Sequence, residues 1–203
     1  EKLKRSIASM SRVGIPDPEH RIQSYPHQFS GGMRQRAGIA MAISMNPSLL
    51  IADEATTALD VTMEAQIIHL IKELREDISG AVVFVSHNLG LIAELCDEVI
   101  VMYAGRLIEK GTVHDIFHHA RHPYTQALLD CDPARIHQSN QELPTIAGDV
   151  PRLNERQTGC GFAPRCPART TQCDTSIPSA TAISEKHLVH CHLYESSIER
   201  QTP

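Results

Sequence analysis

Residues 29–60 read FSGGMRQRAGIAMAISMNPSLLIADEATTALD, and this stretch decides the fold of the chain. A Ser-Gly-Gly turn at its start opens a helical pattern over residues 33–45. The first turn of such a helix presents free backbone N–H groups and the positive end of the helix dipole, which together attract an anion. We therefore expect an anion-binding helix terminus at Ser30, Gly31 and Gly32.

The second half of the stretch contains an apolar run at residues 49–52 that follows an Asn-Pro break and is typical of a buried strand. It ends in two adjacent carboxylates, Asp53 and Glu54. Ligands of open α/β sheets bind at the carboxyl ends of the strands. One carboxylate there can hold Mg²⁺, and its neighbour, which faces the other way, can orient an attacking water. The pair therefore predicts a magnesium and water site.

These features in this order resemble the ATP-binding subunits of ABC transporters. Residues 29–36 resemble their signature motif, residues 49–54 resemble the Walker B strand with its catalytic glutamate, and residues 58–60 resemble the loop that follows. Met33 replaces the glutamine often found after the glycine pair, which is common in the peptide-importer branch. Ala55 replaces a common proline, and this change removes no functional group.

The resemblance implies that the following residues act on Mg-ATP: Ser30, Gly31, Gly32, Asp53, Glu54, Asp60 and His87. Two nucleotide-binding domains of the family close face to face, so the Ser-Gly-Gly turn acts in trans on the γ-phosphate held by the opposite domain. Asp53 then serves the Mg²⁺ of its own site, Glu54 positions or activates water, and Asp60 helps couple the two sites. His87 follows a second apolar run, residues 81–85, which also predicts a buried strand, so it should stand at the same end of the sheet as Asp53 and Glu54. The family's histidine there contacts the γ-phosphate and the attacking water.

The composition is that of a soluble globular protein. The chain has 203 residues, of which 41% are hydrophobic and 21% charged, and its net charge of −5 gives no support to a nucleic-acid-binding surface. Its apolar runs are shorter than the roughly 18 residues that a membrane span needs. The charged N-terminus does not resemble a signal peptide. We therefore expect a cytoplasmic location with reduced cysteines.

The rest of the chain alternates helical and strand patterns, and the expected fold class is α/β with a mostly parallel sheet and flanking helices. By resemblance, this is the distal half of a P-loop ABC nucleotide-binding domain followed by a small Cys-rich extension. The predicted helices cover residues 1–15, 61–78, 89–96, 112–119 and 122–129. The predicted strands cover residues 49–52, 81–85 and 98–103, and the last of these forms a hairpin with residues 107–109.

Two boundaries divide the chain by sequence into three segments: the end of a helical subdomain and a connector at residues 1–28, the C-terminal half of the ATPase domain at 29–130 and the extension at 131–203. Residues 121–129, RHPYTQALL, resemble a segment of dipeptide and oligopeptide importers. The extension has many prolines and little apolar periodicity, so we expect it to need a covalent or metal staple.

Four cysteines in the extension are the candidate staple: Cys160, Cys166, Cys173 and Cys191. Four thiolates suit Zn²⁺ or an iron–sulfur cluster equally well by ligand count. The intervals lack the close C-x₂-C pairs of common zinc ribbons. The surrounding residues resemble the extension of peptide-importer ATPases, where the reported occupant is a [4Fe–4S] cluster. His190 and His192 flank the last cysteine and offer alternative ligands.

The resemblance implies a membrane-associated ATPase subunit on the cytoplasmic face of the inner (plasma) membrane that powers import of dipeptides or oligopeptides. Its partners are a second ATPase subunit in a homodimer or heterodimer, two membrane-spanning permease subunits and, indirectly, a solute-binding protein; no nucleic acid is expected. No G-x-x-x-x-G-K-[ST] phosphate loop, or Walker A motif, occurs in the 203 residues. We therefore expect the chain alone to be inactive. The alternatives are a truncated, non-catalytic or remnant subunit, an importer of nickel or antimicrobial peptides, and a non-transport ATPase of repair or translation.

Overall fold

The computed structural model describes residues 1–56, 60–77, 80–133, 144–152 and 158–195. The chain forms two compact units, Glu1–Leu91 and Ile92–Pro203. Among the described residues, no helix is both long enough and apolar enough to cross a membrane. The boundaries predicted from sequence, at 28/29 and 130/131, differ from this division and stay a prediction.

Helices and one pair of strands build the first unit. In chain order its elements are α1 (Lys2–Arg12), α2 (Pro18–Arg21), a 3₁₀ turn (Pro26–Gln28), α3 (Gly31–Ile43), β1 (Leu49–Asp53), α4 (Val61–Asp77) and β2 (Ala81–Val85). The helix α5 (Leu89–Leu95) follows β2. The predicted helices and strands of this part are therefore confirmed, with ends that differ by one to three residues. Residues 78–79, at the end of the predicted helix 61–78, lie outside the described residues.

The two strands of the first unit are parallel and in register, with Leu49 opposite Ala81 and Asp53 opposite Val85. Both therefore end at the same edge of the sheet. One face packs on the helices, where Ile67 and Leu74 of α4 are buried in a core shared with α1 and α3.

The opposite face of the pair carries apolar side chains whose exposed fractions lie between 45% and 62%: Leu49, Ile51, Val83 and Val85. The prediction that both strands are buried is therefore wrong for this face. Alternate residues of a strand face opposite ways, and only one of the two faces packs on the helices.

An antiparallel sheet forms the centre of the second unit. Its elements are β3 (Glu98–Tyr103), β4 (Arg106–Thr112), α6 (Val113–His119), α7 (Pro123–Asp130), a 3₁₀ turn (Ala163–Arg165), α8 (Thr171–Thr175), β5 (Ala180–Ala182), β6 (Leu188–His190) and α9 (His192–Glu195). The strand order is β3-β4-β6-β5 with all neighbours antiparallel.

The α/β class is confirmed, but the predicted mostly parallel sheet is wrong for the described residues, where β1 and β2 form the one parallel pair. The reason is local. A two-residue turn joins β3 to β4, with positive φ at Ala104 and Gly105, and such a turn reverses the chain into a hairpin. The extension then adds β6 to the free edge of β4, where Val189 pairs with Glu109.

The Cys-rich extension also contributes to a core, which the sequence did not predict. Phe162 is 1% exposed and packs edge-on against Tyr103 and Tyr124, with ring centroids 5.3 and 5.4 Å away. The guanidinium of Arg165 donates to the Tyr103 hydroxyl and to the Ile146 carbonyl. The extension is therefore folded onto β3 and α7 by aromatic packing as well as by strand pairing, and the bond from Arg165 to Ile146 lies within it.

Candidate functional site

The Ser-Gly-Gly turn lies at the N-terminus of α3, as predicted. Ser30 is extended and caps the helix, because its hydroxyl accepts a hydrogen bond from the Met33 N–H at 3.3 Å. Gly32 is buried against α4, and a Cβ at this position would lie 1.7 Å from the Met63 methyl group. A Cβ on Gly31 would meet nothing within 4 Å. Gly32 thus permits close helix packing, whereas Gly31 leaves the open side of the helix end accessible to a ligand.

The two predicted catalytic side chains meet at the carboxyl ends of β1 and β2. His87 Nδ1 lies 2.9 Å from Glu54 Oε1. Glu54 has a left-handed backbone, with φ of 49°, and its N–H donates to the Val85 carbonyl at 3.0 Å. Asp53 precedes it at the last ladder position of β1 and is exposed. The sequence thus correctly predicted that these carboxylates and His87 share one edge of the sheet.

Asp60 has a local structural role in addition to the predicted one. Its carboxylate accepts a hydrogen bond from the Met63 N–H at 2.9 Å, so that it caps the first turn of α4. Its predicted coupling of two ATP sites stays a prediction. The preceding loop residues, 57–59, lie outside the described residues.

Gln35 is a site residue that sequence reasoning missed. Its side-chain N–H donates to the Ala55 carbonyl at 2.6 Å, which joins α3 to the backbone of the residue directly after Glu54. The signal was available in the spacing, since Gln35 lies one helical turn after the buried Gly32 and therefore on the side of α3 that faces the core.

All four cysteines of the predicted metal site line one pocket, together with His122 and other residues. The pocket is held by a backbone hydrogen bond of 2.8 Å from Cys160 N to Cys173 O. Burial raises the pKa of the Cys160, Cys166 and Cys191 thiols, that of Cys191 to about 11, and neighbouring thiols add to each shift. Across the described ranges, no group of three or more His, Cys, Asp or Glu side chains is arranged to hold a metal ion.

His192 is an unsuitable replacement ligand, although it lines the same pocket. Its Nδ1 bonds to the Glu195 carboxylate, and its Nε2 donates to the Ser176 carbonyl at 2.9 Å. Both ring nitrogens therefore already have partners. The sequence expectation that His192 could replace a cysteine is not supported by these contacts.

A buried polar cluster supports the pocket, and sequence reasoning missed it as well. Glu109 is fully buried on β4 and accepts hydrogen bonds from the backbone N–H groups of Arg121 and His122 and from His187 Nε2, at 2.6 to 3.0 Å. His122 in turn accepts a hydrogen bond from the Tyr124 N–H and so caps α7. A glutamate that directly follows two apolar residues of a strand, Leu107 and Ile108, was the available signal.

Comparison with protein families finds two matches. A model of the ABC transporter family matches residues 1–57, and a model of the oligopeptide/dipeptide transporter C-terminal region matches residues 108–173. The first match contains the Ser-Gly-Gly turn, Asp53 and Glu54. The second contains Cys160, Cys166 and Cys173.

Curated relatives are similar to nearly all of the chain. A probable peptide ABC transporter ATP-binding protein, y4tR of Sinorhizobium fredii, is 48% identical over 191 residues, which are 94% of this chain and 57% of that protein. The dipeptide transport ATP-binding protein DppD of Bacillus subtilis is 48% identical over 97% of this chain and 58% of its own length. The DppD protein of Escherichia coli is 48% identical over 94% and 58%. The chain thus spans somewhat more than half the length of these relatives.

Two solved structures share the fold. CbiO1 of Clostridium perfringens, part of the ABC transporter complex CbiONQ, is 31% identical with a TM-score of 0.50 and aligns over 57% of this chain and 45% of its own. A putative metal-chelate type ABC transporter in an inward-facing conformation is 21% identical with a TM-score of 0.53, over 62% of this chain and 47% of its own. The second likeness concerns the fold alone.

Proposed function

The chain belongs to the ATP-binding proteins of ABC transporters, in the branch that carries the oligopeptide/dipeptide transporter C-terminal region, and we propose that it acts in an ATP-hydrolysing subunit that powers peptide import. The observation that carries the proposal is the contact between Glu54 and His87 at the ends of two parallel strands. It supplies a carboxylate and an imidazole to one exposed edge, where a γ-phosphate and a water can approach.

The chemistry of this edge follows from the donors and acceptors present. An ionised Glu54 accepts a hydrogen bond from the Nδ1–H of His87. His87 Nε2 can then accept a hydrogen bond from a water when the ring is neutral, and donate one to a phosphate oxygen when the ring is protonated. Glu54 then orients or deprotonates the attacking water. Asp53 offers an exposed carboxylate that fits Mg²⁺, which would neutralise charge on the phosphates.

The remaining parts of the proposed assembly come from the family. Ser30 and Gly31 act in trans on ATP held by a second ATPase subunit in a homodimer or heterodimer, and Asp60 couples the two sites. Two permease subunits and, indirectly, a solute-binding protein complete the importer at the cytoplasmic face of the membrane. The open space at Gly31 supports the first of these roles, since a phosphate can approach the helix end there.

A chimera tests the function. The part of the B. subtilis dipeptide transport ATP-binding protein that the alignment leaves uncovered is joined to these 203 residues and produced with that transporter's membrane partners. We expect ATP-dependent dipeptide uptake into vesicles. Uptake of nickel or of antimicrobial peptides instead of dipeptides would assign another substrate, and a folded chimera without ATP hydrolysis would reject the catalytic role in favour of a non-catalytic subunit.

We also propose that the cysteine pocket holds a [4Fe–4S] cluster with a structural or sensing role. The pocket is remote in sequence from the residues that act on ATP. The four thiols line one pocket, which supports a shared occupant. Four thiols suit Zn²⁺ or a cluster equally by ligand count, and we favour the cluster because the surrounding residues resemble the extension of peptide-importer ATPases. When bound, such a cluster supplies structural cross-linking and one-electron chemistry.

Metal analysis tests this second proposal. Protein purified without oxygen should be brown and contain iron and sulfide, and replacing Cys160, Cys166, Cys173 or Cys191 by Ser should release them. Cys96→Ser is the matched control and should retain them, because Cys96 follows α5 and is not among the residues that line the cysteine pocket. A colourless protein with zinc would decide for the alternative, and a protein without metal would reject both.

A further inference from the structure

The hydrogen bond from Gln35 Nε2 to the Ala55 carbonyl is short, at 2.6 Å, and both residues are half-buried. It spans twenty positions and joins two segments that the sequence assigns to different tasks. Gln35 lies on α3, five residues after the capping Ser30. Ala55 directly follows Glu54. A partly buried bond of this kind fixes the distance between the helix that presents the Ser-Gly-Gly turn and the loop that presents the carboxylate.

The backbone at Glu54 needs such a restraint. Its φ of 49° lies in the left-handed region, which residues with a Cβ adopt at a cost. On its N-terminal side, the Glu54 N–H is held by the Val85 carbonyl of β2. On its C-terminal side, Gln35 holds the chain at the carbonyl of the following residue, Ala55. The two bonds together fix the turn in which the Glu54 carboxylate meets His87.

We propose that Gln35 is a positioning residue for Glu54: through the Ala55 carbonyl it holds the left-handed turn that brings the carboxylate onto His87. The consequence for function rests on the proposed ATP hydrolysis. A displacement of α3 caused by a nucleotide at the Ser-Gly-Gly turn is transmitted through Gln35 to the carboxylate that orients water. The structural consequence, that the contact between Glu54 and His87 depends on Gln35, does not rest on ATP at all.

Histidine NMR tests the structural consequence on the full 203-residue chain without nucleotide. The ring nitrogens of ¹⁵N-histidine report which nitrogen carries the proton and whether it is hydrogen-bonded, and His87→Gln identifies the His87 signals by their loss. Gln35→Leu removes the donor, Gln35→Glu places an acceptor against the Ala55 carbonyl, and Gln35→Lys restores a donor. We expect the first two variants to move the His87 Nδ1 signal towards that of a free imidazole, and Gln35→Lys to restore it at least in part.

Gln126→Leu is the matched control. Gln126 also donates from its side-chain amide to a backbone carbonyl, that of Ala120 at 2.9 Å, and the bond lies in the second unit. This variant should leave the His87 signals unchanged. A Gln35→Leu protein that is less stable but has wild-type His87 signals would overturn the proposal, because Gln35 would then be a structural residue only. Equal shifts in Gln126→Leu would overturn it too.

The chimera described above tests the functional consequence. In Gln35→Leu we expect kcat for ATP hydrolysis to fall roughly tenfold, the effect of one misplaced or lost hydrogen bond in the transition state, with little change in KM for ATP. An unchanged kcat would overturn the catalytic part. Absence of hydrolysis in the unmodified chimera would instead reject the proposed function, and the NMR result would still decide whether Gln35 positions Glu54.

Discussion

His87 Nδ1 and Glu54 Oε1 lie 2.9 Å apart although 33 positions separate the two residues in the chain. The contact exists because β1 and β2 run in parallel and end in register, Asp53 opposite Val85, so that the residues after each strand meet. The His87 side chain is 80% exposed and the Glu54 side chain 40%. A carboxylate paired with an imidazole at an open edge is available to a substrate, and this distinguishes it from the buried pair of Glu109 and His187.

Glu54→Gln is expected to abolish turnover while ATP still binds. In the chimera with a phosphate loop, the amide cannot accept a proton or hold water as the carboxylate does, and loss of such a group costs about 10²–10⁴ in rate. Phosphate release and nucleotide binding measure the two properties. Glu73→Gln is the control, since Glu73 also pairs with a histidine, His69 at 3.4 Å, but on the exposed surface of α4. Wild-type hydrolysis in Glu54→Gln would remove Glu54 from the mechanism.

The residues of the site around Glu54 were easier to predict from the sequence than the backbone contacts that hold them in place. The sequence could place Asp53, Glu54 and His87 together because each lies at the end of an apolar strand pattern or within two residues of it. The spacing could place Gln35 on the core-facing side of α3, but it could not predict the bond to Ala55, which depends on the left-handed turn at Glu54 that no residue type there requires. A positive φ at a glutamate is imposed by the surrounding structure.

The second unit was less predictable for a related reason. The hairpin of β3 and β4 follows from a local turn, but the addition of β6 to β4 pairs residues about 80 positions apart, and both β6 and its other neighbour β5 have three residues. Such short strands carry almost no periodic signal. The cysteines indicated a shared site without showing that Phe162 fills the core beside them.

Ser30→Ala is expected to lower the stability of the first unit by about 1 kcal/mol, because the Met33 N–H loses its cap. Ser30→Asn keeps a cap and should be near wild type. Thermal or urea unfolding measures both, with Thr112→Ala as a comparison that removes the corresponding cap of α6. In the chimera, ATP-dependent dimerisation should weaken in Ser30→Ala. A mutant that dimerises normally would contradict the role in trans.

Gly159→Ala is expected to disrupt the cysteine pocket. A Cβ there would lie 2.2 Å from the backbone carbonyl oxygen of Cys173, and the adjacent hydrogen bond from Cys160 to that same carbonyl would have to break. We expect a loss of several kcal/mol in the unfolding free energy of the second unit, as for other clashes in packed regions. Gly38→Ala is the matched control. Its Cβ meets nothing within 4 Å, and alanine in the middle of α3 should stabilise by roughly 0.5–1 kcal/mol.

His122 makes stability depend on pH. Burial lowers its pKa to about 4, Glu109 opposes the shift, and His190 adds to it. The unfolded chain therefore binds a proton near pH 6.5 that the folded chain does not take up until about pH 4. Stability from this group is complete above pH 6.5 and falls by about 3 kcal/mol as the pH drops to 4.

His122→Asn isolates that effect, because asparagine caps a helix but does not titrate in this range. Urea unfolding at several pH values should show that the difference in stability between wild type and His122→Asn changes steadily between pH 6.5 and 4. A constant difference would mean that His122 titrates alike in the folded and unfolded chains.

The 203-residue polypeptide by itself is expected to show no measurable ATP hydrolysis and at best very weak Mg-ATP binding. ATP affinity in this superfamily comes largely from backbone N–H groups and a lysine around the β- and γ-phosphates. The 203 residues contain Asp53 and Glu54, but they contain no G-x-x-x-x-G-K-[ST] phosphate-loop motif. Calorimetry and phosphate release measure both quantities. The exposed apolar face of β1 and β2 should also make the polypeptide associate, which light scattering would detect.

Adding an intact nucleotide-binding domain of a relative provides the positive arm of this last experiment. That domain holds ATP in its own phosphate loop, and the helix terminus at Ser30 and Gly31 can complete one composite site across the interface. Hydrolysis should therefore rise above that of the added domain alone, and Ser30→Ala should reduce the gain. Tight Mg-ATP binding with turnover by the polypeptide alone would show that other residues of these 203 bind the phosphates, and the assignment of ATP affinity to a separate phosphate loop would be wrong.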